Sequence, residues 1–339
     1  MSVQGEAGRT PILVTGGAGY IGSHTCKALW RAGYLPVSYD NLSIGNAEAV
    51  RWGPLERGDI LDASRLDAVC REYRPQAVLH FAALALVGES MEAPDLYYRT
   101  NVTGVITLLD VCRAQGVDAF VFSSTCAVYG TPARVPISEA TLPQPINPYG
   151  ASKLMAERVL ADYGRAFGIR HAILRYFNAA GADPDGESGE DRPVETHLVP
   201  LALDAILGRR PPLKVMGDDY PTPDGTAIRD YIHVSDLADA HVAALERLLG
   251  GTRALTLNLG TGRGYSVREV LAVAAAITGI PVPHEIAPRR PGDPAELVAD
   301  PLAARSALGR DFVARSDLPS IIETAWRWHT RRNRRSGAA

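Results

Sequence analysis

The stretch Pro11-Ile-Leu-Val-Thr15-Gly16-Gly-Ala-Gly19-Tyr20-Ile21-Gly22 decides the fold. Its first half is a short continuous apolar run, the pattern of a strand buried on both faces. Its second half places three glycines at a spacing of three, directly before an amphipathic stretch that reads as a helix to Ala32. Glycines at such a strand-to-helix turn let the backbone bend tightly and let a pyrophosphate approach the helix N-terminus. Strands are predicted at 35–40, 55–59, 76–80, 119–123 and 171–175, and helices at 61–73, 94–115 and 149–167. This alternation implies a parallel sheet with helices on both faces and ligands at the carboxyl ends of the strands.

Asp40 closes the second predicted strand, 18 residues past Gly22. A carboxylate there binds both hydroxyls of an adenine ribose and repels a 2′-phosphate, which favours NAD over NADP. Asp59-Ile60 follows the third strand. It reads either as an adenine contact or as a helix N-cap by Asp59. The fold class is α/β: a Rossmann-type doubly wound parallel sheet with a smaller, loop-rich α/β substrate lobe. Past residue 180 the segments 181–193, 209–226 and 287–295 are rich in Pro and Gly and read as loops. Helices are predicted near 197–208, 235–249 and 266–278, and one more buried strand at 255–260. The expected domains are 1–178 plus about 232–262, and about 179–231 plus 263–332, with 333–339 a frayed tail.

The chain has 339 residues, 46% hydrophobic and 22% charged, and a formal charge of −3. That composition excludes a mainly disordered chain and lacks the basic footprint of a nucleic-acid binder. Four cysteines, at 26, 70, 112 and 126, have no metal-ligand or C-x-x-C spacing, so a reducing compartment fits and no metal is expected. Met1 to Thr10 is polar and no apolar run is long enough to span a membrane. The cytoplasm is the expected location.

Tyr149-Gly-Ala-Ser-Lys153 puts a phenol and an ammonium on one helix face. A free tyrosine, with a pKa of ~10, is a poor base at neutral pH. A nearby lysine and an oxidised nicotinamide both favour the tyrosinate, which then serves as general base for an alcohol. Phe122-Ser123-Ser124-Thr125 ends the fifth strand, and Thr125 can relay a sugar-hydroxyl proton to Tyr149. Its alternative reading is a strand end capped by local hydroxyl–backbone bonds.

These three motifs resemble the extended short-chain dehydrogenase/reductase superfamily. Further segments are similar to its UDP-glucose 4-epimerase family: Asp40-Asn41-Leu42-Ser43, His80-Phe81-Ala82-Ala83, Val87-Gly-Glu-Ser90, Asn101-Val-x-Gly104 and Arg175-Tyr-Phe177-Asn178. So are Asp219-Tyr-Pro-Thr222, Asp224-Gly-Thr226, Arg229-Asp-Tyr-Ile-His233 and Arg289-Arg290-Pro-Gly-Asp293. The resemblance spans about residues 11 to 330 and implies a role for each matching position. Tyr149 is the base, Thr125 its hydroxyl partner and Lys153 the tuning cation. Gly16, Gly19, Tyr20, Ile21, Gly22, Asp40, Asn41, Leu42, Ser43, Asp59, Ile60, Phe81, Ala82, Ala83, Asn101, Ser123 and Phe177 line the NAD site, together with Tyr149 and Lys153. Asn178, His197, Leu198, Lys214, Met216, Arg229, Arg290, Asp293 and Leu297 meet the UDP-sugar, with Thr125 and Tyr149 at the hexose. Two arginines match a diphosphate and a carboxylate matches ribose hydroxyls.

The implied reaction is oxidation at the sugar C4, rotation of the 4-keto sugar and hydride return to its other face, with NAD regenerated. A homodimer through 94–115 and 149–167 is implied as well. The sequence departs from the pattern at Thr125 (serine in some members), Ala85 (lysine in some), His197 (an amide in some) and Leu297, a position that gates sugar size. A 4,6-dehydratase needs an acid beside the catalytic hydroxyl, where this chain has Cys126 and Ala127. Epimerases of UDP-N-acetylhexosamines, UDP-xylose/arabinose or UDP-hexuronates stay open, as does a non-enzymatic NAD sensor.

Overall fold

A computed structural model of the chain describes residues 8–290, 292–309, 312 and 315–336, with backbone only for 332–336. The chain divides into two compact units, 1–130 with 142–175 and 238–257, and 131–141 with 176–237 and 258–339.

The first unit is built on a seven-stranded sheet. Its strands are β1 (Thr10–Thr15), β2 (Tyr34–Asp40), β3 (Leu55–Arg57), β4 (Ala77–His80), β5 (Ala119–Thr125), β6 (Arg170–Tyr176) and, tenth in chain order, β10 (Ala254–Leu259). Their order is β10-β6-β5-β4-β1-β2-β3. β1 pairs in parallel with both β2 and β4, so the order reverses between β1 and β4. A crevice for ligands opens at such a reversal, outside the strand ends. Ile12, Leu13 and Val14 are wholly buried, which explains the unbroken apolar run.

Six helices accompany these strands: α1 (Tyr20–Arg31), α2 (Ala63–Tyr73), α3 (Val87–Glu92), α4 (Pro94–Tyr98), α5 (Gly104–Gln115) and α6 (Pro148–Phe167). Leu66, Val69, Leu108, Leu109, Ala156 and Leu160 bring three of them onto one core with Leu13, Val37 and Val78. The single helix expected over 94–115 is instead α4, a π-helical turn at Arg99–Thr103 and α5. Asn101 lies in that wider turn. The N-cap of α2 is Asp62, whose carboxylate accepts from Arg65 N, so Asp59 does not cap it.

The second unit contains β7 (Asn178–Ala180), β8 (Leu213–Met216), β9 (Ile228–His233), β11 (Gly264–Ser266), β12 (His284–Ala287) and β13 (Glu296–Leu297). Its helices are α7 (Leu198–Ile206), α9 (Val267–Thr278), α10 (Leu302–Leu308) and α11 (Leu318–Ser336), while α8 (Val234–Leu249) runs from this unit's residues into the first unit's. β9 is the hub: β7 and β13 pair with it in parallel and β11 antiparallel. Val199, Leu203, Val270, Ile321 and Ile322 pack α7, α9 and α11 into one core.

Several expectations differ from this architecture. The stretch read as loop at 209–226 contains β8, whose Leu213 and Val215 are buried while Lys214 faces out. The segment 131–141 belongs to the second unit, where Ile137 N–H donates to Val298 O and Ile137 O accepts from the Asn258 amide. The arginine run 331–335, expected at a frayed tail, lies in α11, whose helix continues through Ser336. Residues 337–339 lie outside the described residues. No described helix is long and apolar enough to cross a membrane.

Candidate active site

The glycine turn sits where β1 meets α1. A Cβ on Gly16 would lie 2.6 Å from the Ala82 amide nitrogen, and one on Gly22 would lie 2.1 Å from Gly16 O. Gly16 also has φ +75°, a left-handed backbone that disfavours any side chain. Phe81 N and Ala82 N both donate to Thr15 O, at 2.8 and 3.1 Å, which holds the segment after β4 against this turn. The absence of side chains lets a phosphate come close to the N-terminus of α1, so the turn fits a dinucleotide.

At the end of β2, Asp40 is buried and accepts from Ala18 N at 3.0 Å and Leu42 N at 2.8 Å. Burial raises its pKa and the two amides oppose that rise. Its carboxylate is thus fixed beside the glycine turn. Asn41 Nδ2 donates to Asp59 Oδ2 at 2.9 Å, and Ser43 N donates to Asn41 Oδ1 at 3.0 Å. Leu42 takes φ +61° to turn the chain between them. Ile60 is buried, and a Cβ on Gly104 would come within 2.5 Å of its Cδ1. Phe81 packs on His241 with ring centroids 4.7 Å apart. Asn101 spends its amide on the protein: Nδ2 donates to Leu84 O and to Ser152 Oγ, and Oδ1 accepts from Leu84 N. It therefore braces the Ala82–Leu84 backbone against α6.

The end of β5 and the first turns of α6 carry Thr125, Tyr149 and Lys153. Lys153 Nζ is buried, donates to Ser123 O at 2.8 Å and stands 4.9 Å from the Phe122 ring centroid. Burial pulls its pKa down to about 7, against the opposing pull of the Glu157 charge. Tyr149, 9% exposed, lies one turn earlier on α6 and meets the Tyr97 ring edge-on at 6.4 Å. Thr125 Oγ1 accepts from Ala127 N at 3.1 Å, so it also caps the 126–129 turn. The capping reading of that hydroxyl is the one this bond shows. Beneath it, His80 is neutral: burial first, then Lys153, lowers its pKa to about 3, and Thr15 Oγ1 lies 2.6 Å from its Nδ1.

In the second unit β9 carries Arg229 between Leu297 on β13 and Tyr265 on β11. Asn178 starts β7, opposite Tyr231. Arg229 forms an ion pair with Asp293, both largely shielded from solvent. Asp230, fully buried, accepts from Thr261 N, Gly262 N and Ala299 N and so fixes the chain on either side of Arg229. His197 precedes α7 and pairs with Glu190 at 2.6 Å. Leu198 packs onto the second core. Lys214 and Met216 sit on β8 in a separate two-stranded sheet with β12, and Arg290 is exposed.

A family model described as NAD dependent epimerase/dehydratase family matches residues 12–260. The chain belongs to the NAD dependent epimerase/dehydratase family. It is 54% identical over 327 residues to a UDP-glucose 4-epimerase of Rhizobium leguminosarum bv. trifolii, covering 96% of this chain and 99% of that one. The crystal structure of UDP-glucose 4-epimerase from Brucella ovis in complex with NAD superposes with a TM-score of 0.91 at 55% identity, over 94% of this chain and 98% of that one. The Bifidobacterium longum enzyme in complex with NAD+ and UDP gives a TM-score of 0.91 at 38% identity, over 96% and 99%.

Sequence reading missed some of what supports the site in this epimerase/dehydratase family member. Glu157 is buried one turn beyond Lys153; it accepts from Ser124 Oγ and forms a bidentate pair with Arg175, whose Nη1 donates to Tyr129 Oη at 2.9 Å. Lys153 and Glu157 thus hold consecutive residues, Ser123 and Ser124, just before Thr125. The i,i+4 spacing of Lys153 and Glu157 was the available signal. Gly150 matters as well, since a Cβ there would lie 2.5 Å from Ala127 O. Only glycine lets the first turn of α6 approach the turn that Thr125 caps.

Proposed function

We propose that this chain is an NAD-dependent UDP-glucose 4-epimerase, interconverting UDP-galactose and UDP-glucose. The observation that carries the reading is the buried Lys153 anchored to Ser123 O at the end of β5, with Tyr149 one turn away on the same helix and Thr125 two residues on. Near-full-length identity to UDP-glucose 4-epimerases supports the same activity.

Gly16, Gly19 and Gly22 would hold the pyrophosphate of NAD, Asp40 its adenosine ribose, and Tyr20, Ile21, Asn41, Leu42, Ser43, Asp59, Ile60, Phe81, Ala82, Ala83 and Phe177 would line the rest. When bound, NAD supplies a reversible hydride acceptor. Tyr149, as tyrosinate, takes the O4 proton directly or through Thr125 and returns it after the sugar has turned. Lys153 in its ammonium form stabilises that tyrosinate. Burial works against the ammonium and Glu157 works for it. Arg229, Arg290 and Asp293, with Asn178, would grip UDP. A firm hold on the nucleotide and a loose one on the hexose is what rotation of a 4-keto sugar requires. The chain would act in the cytoplasm as a homodimer.

The test is incubation of purified protein with UDP-galactose and no added cofactor, followed by chromatography. Conversion to UDP-glucose supports the proposal. No conversion of UDP-galactose, UDP-N-acetylgalactosamine, UDP-xylose or UDP-glucuronate, even with NAD added, overturns it.

A further inference from the structure

In the 217–226 turn, Tyr220 buries a hydroxyl that has no use in the protein's own structure. Its side chain is 6% exposed, and its hydroxyl has no hydrogen-bond partner among the described residues. The ring is clamped from several sides. The Arg289 guanidinium lies 4.3 Å from its centroid, and Arg289 Nε in turn donates to Asp219 Oδ1 at 2.5 Å. Tyr220 N donates to Gly225 O at 2.9 Å, and a Cβ on Gly217 would lie 2.8 Å from the ring. The turn is tied further by Thr222 Oγ1 to Thr226 O at 2.7 Å. The direction of the hydroxyl is therefore preset by the fold.

A buried hydroxyl without a partner costs about 1–3 kcal/mol relative to a satisfied one. Phenylalanine would fill this place at no such cost. The ion-paired Arg229 and Asp293 both act on the hydroxyl electrostatically, in opposite directions. Burial first, and then the Asp293 carboxylate, raise its pKa, so it is a protonated donor at neutral pH.

We propose that the Tyr220 hydroxyl is a further ligand-binding group of the second unit, donating a hydrogen bond to a phosphate oxygen of a bound nucleoside diphosphate. This rests on the UDP-sugar reading given above. Tyr220 completes a donor set in which Arg229 brings charge and Tyr220 a fixed direction. A neutral, rigid donor discriminates by geometry, whereas an arginine ion-paired with Asp293 must first share its charge.

The experiment is calorimetric titration of the full-length holoenzyme and its Tyr220→Phe variant with UDP and, separately, with uridine, alongside thermal unfolding without either. The variant is expected to unfold at the same temperature or higher. Its affinity for UDP is expected to fall about 10- to 100-fold, the usual range for a hydrogen bond to a charged group. Its affinity for uridine is expected to stay unchanged. UDP affinity within about twofold of the parent overturns the proposal, and so does an equal loss on uridine. If the parent protein itself does not bind UDP, the UDP-sugar reading falls, and the tyrosine proposal with it. A parent that binds UDP beside a variant that binds it equally well removes the tyrosine alone.

Discussion

Replacing Lys153 with methionine isolates the cost of burying its charge. Burial brings the folded-state pKa from 10.5 down to about 7. Between those values the unfolded chain binds the proton and the folded one does not, so stability rises with pH, at up to about 1.4 kcal/mol per pH unit. Below pH 7 both states are protonated and the folded state bears the whole burden, about 5 kcal/mol for a depression from 10.5 to about 7. Integrated from pH 7 to pH 9, the gain is about 2 kcal/mol, because the slope is only half developed at pH 7. Methionine removes this pH-dependent part. It adds a constant cost of about 1–3 kcal/mol, because Ser123 O loses its donor. The assay is urea unfolding of nucleotide-free parent and Lys153→Met protein at pH 6, 7, 8 and 9. The parent is expected to gain about 2 kcal/mol on the variant between pH 7 and 9, and at pH 6 to be the less stable of the two by about 2–4 kcal/mol, the burden of about 5 less the methionine cost of about 1–3. Parallel pH curves for the two proteins would refute the reasoning.

Tyr149→Phe is expected to fold and retain NAD while kcat falls about 10²- to 10⁴-fold, the usual contribution of a general base; full turnover in the chromatographic assay would remove Tyr149 from the mechanism. Asp40→Asn keeps one acceptor oxygen but turns the other into a donor facing Ala18 N or Leu42 N, so the preference for NAD over NADP should narrow. An unchanged ratio of the two binding constants would argue against the ribose role. Glu157→Gln leaves Arg175 buried without its anion and should cost about 3–5 kcal/mol. Adding Arg175→Met should recover part of that loss, and an unaltered thermal midpoint in the single variant would show the pair to be inert.

The first unit was legible because its strands are buried on both faces. Ile12–Val14, Ala77–Leu79 and Ala119–Phe122 are unbroken apolar runs, and helices with clear apolar stripes separate them. The second unit hid its strands. β7 and β11 have three residues each and β13 two, too short for any alternation to register. β8 lies inside a Pro- and Gly-rich stretch, and only the burial of Leu213 and Val215 reveals its face. α11 was masked by its own ending: the arginines at 331–335 draw attention from Leu318, Ile321, Ile322 and Ala325, which pack the helix down. Within the site, the chemistry-bearing types could be read directly at Tyr149, Lys153, Thr125 and Asp40. The supports could not, because Glu157, Arg175 and Gly150 act only through contacts that the fold creates.

All four cysteines, 26, 70, 112 and 126, are buried free thiols, and all four lie in the first unit. Burial raises the pKa of Cys26 to about 12 and of Cys70 to about 11, so neither presents a thiolate at neutral pH. With all four buried, the folded protein should react only slowly with alkylating and oxidising reagents. Each thiol becomes labelled only when the structure around it opens. The rate at which a chromogenic disulfide consumes them is thus a clock for the loosening of the first unit, where all four thiols lie.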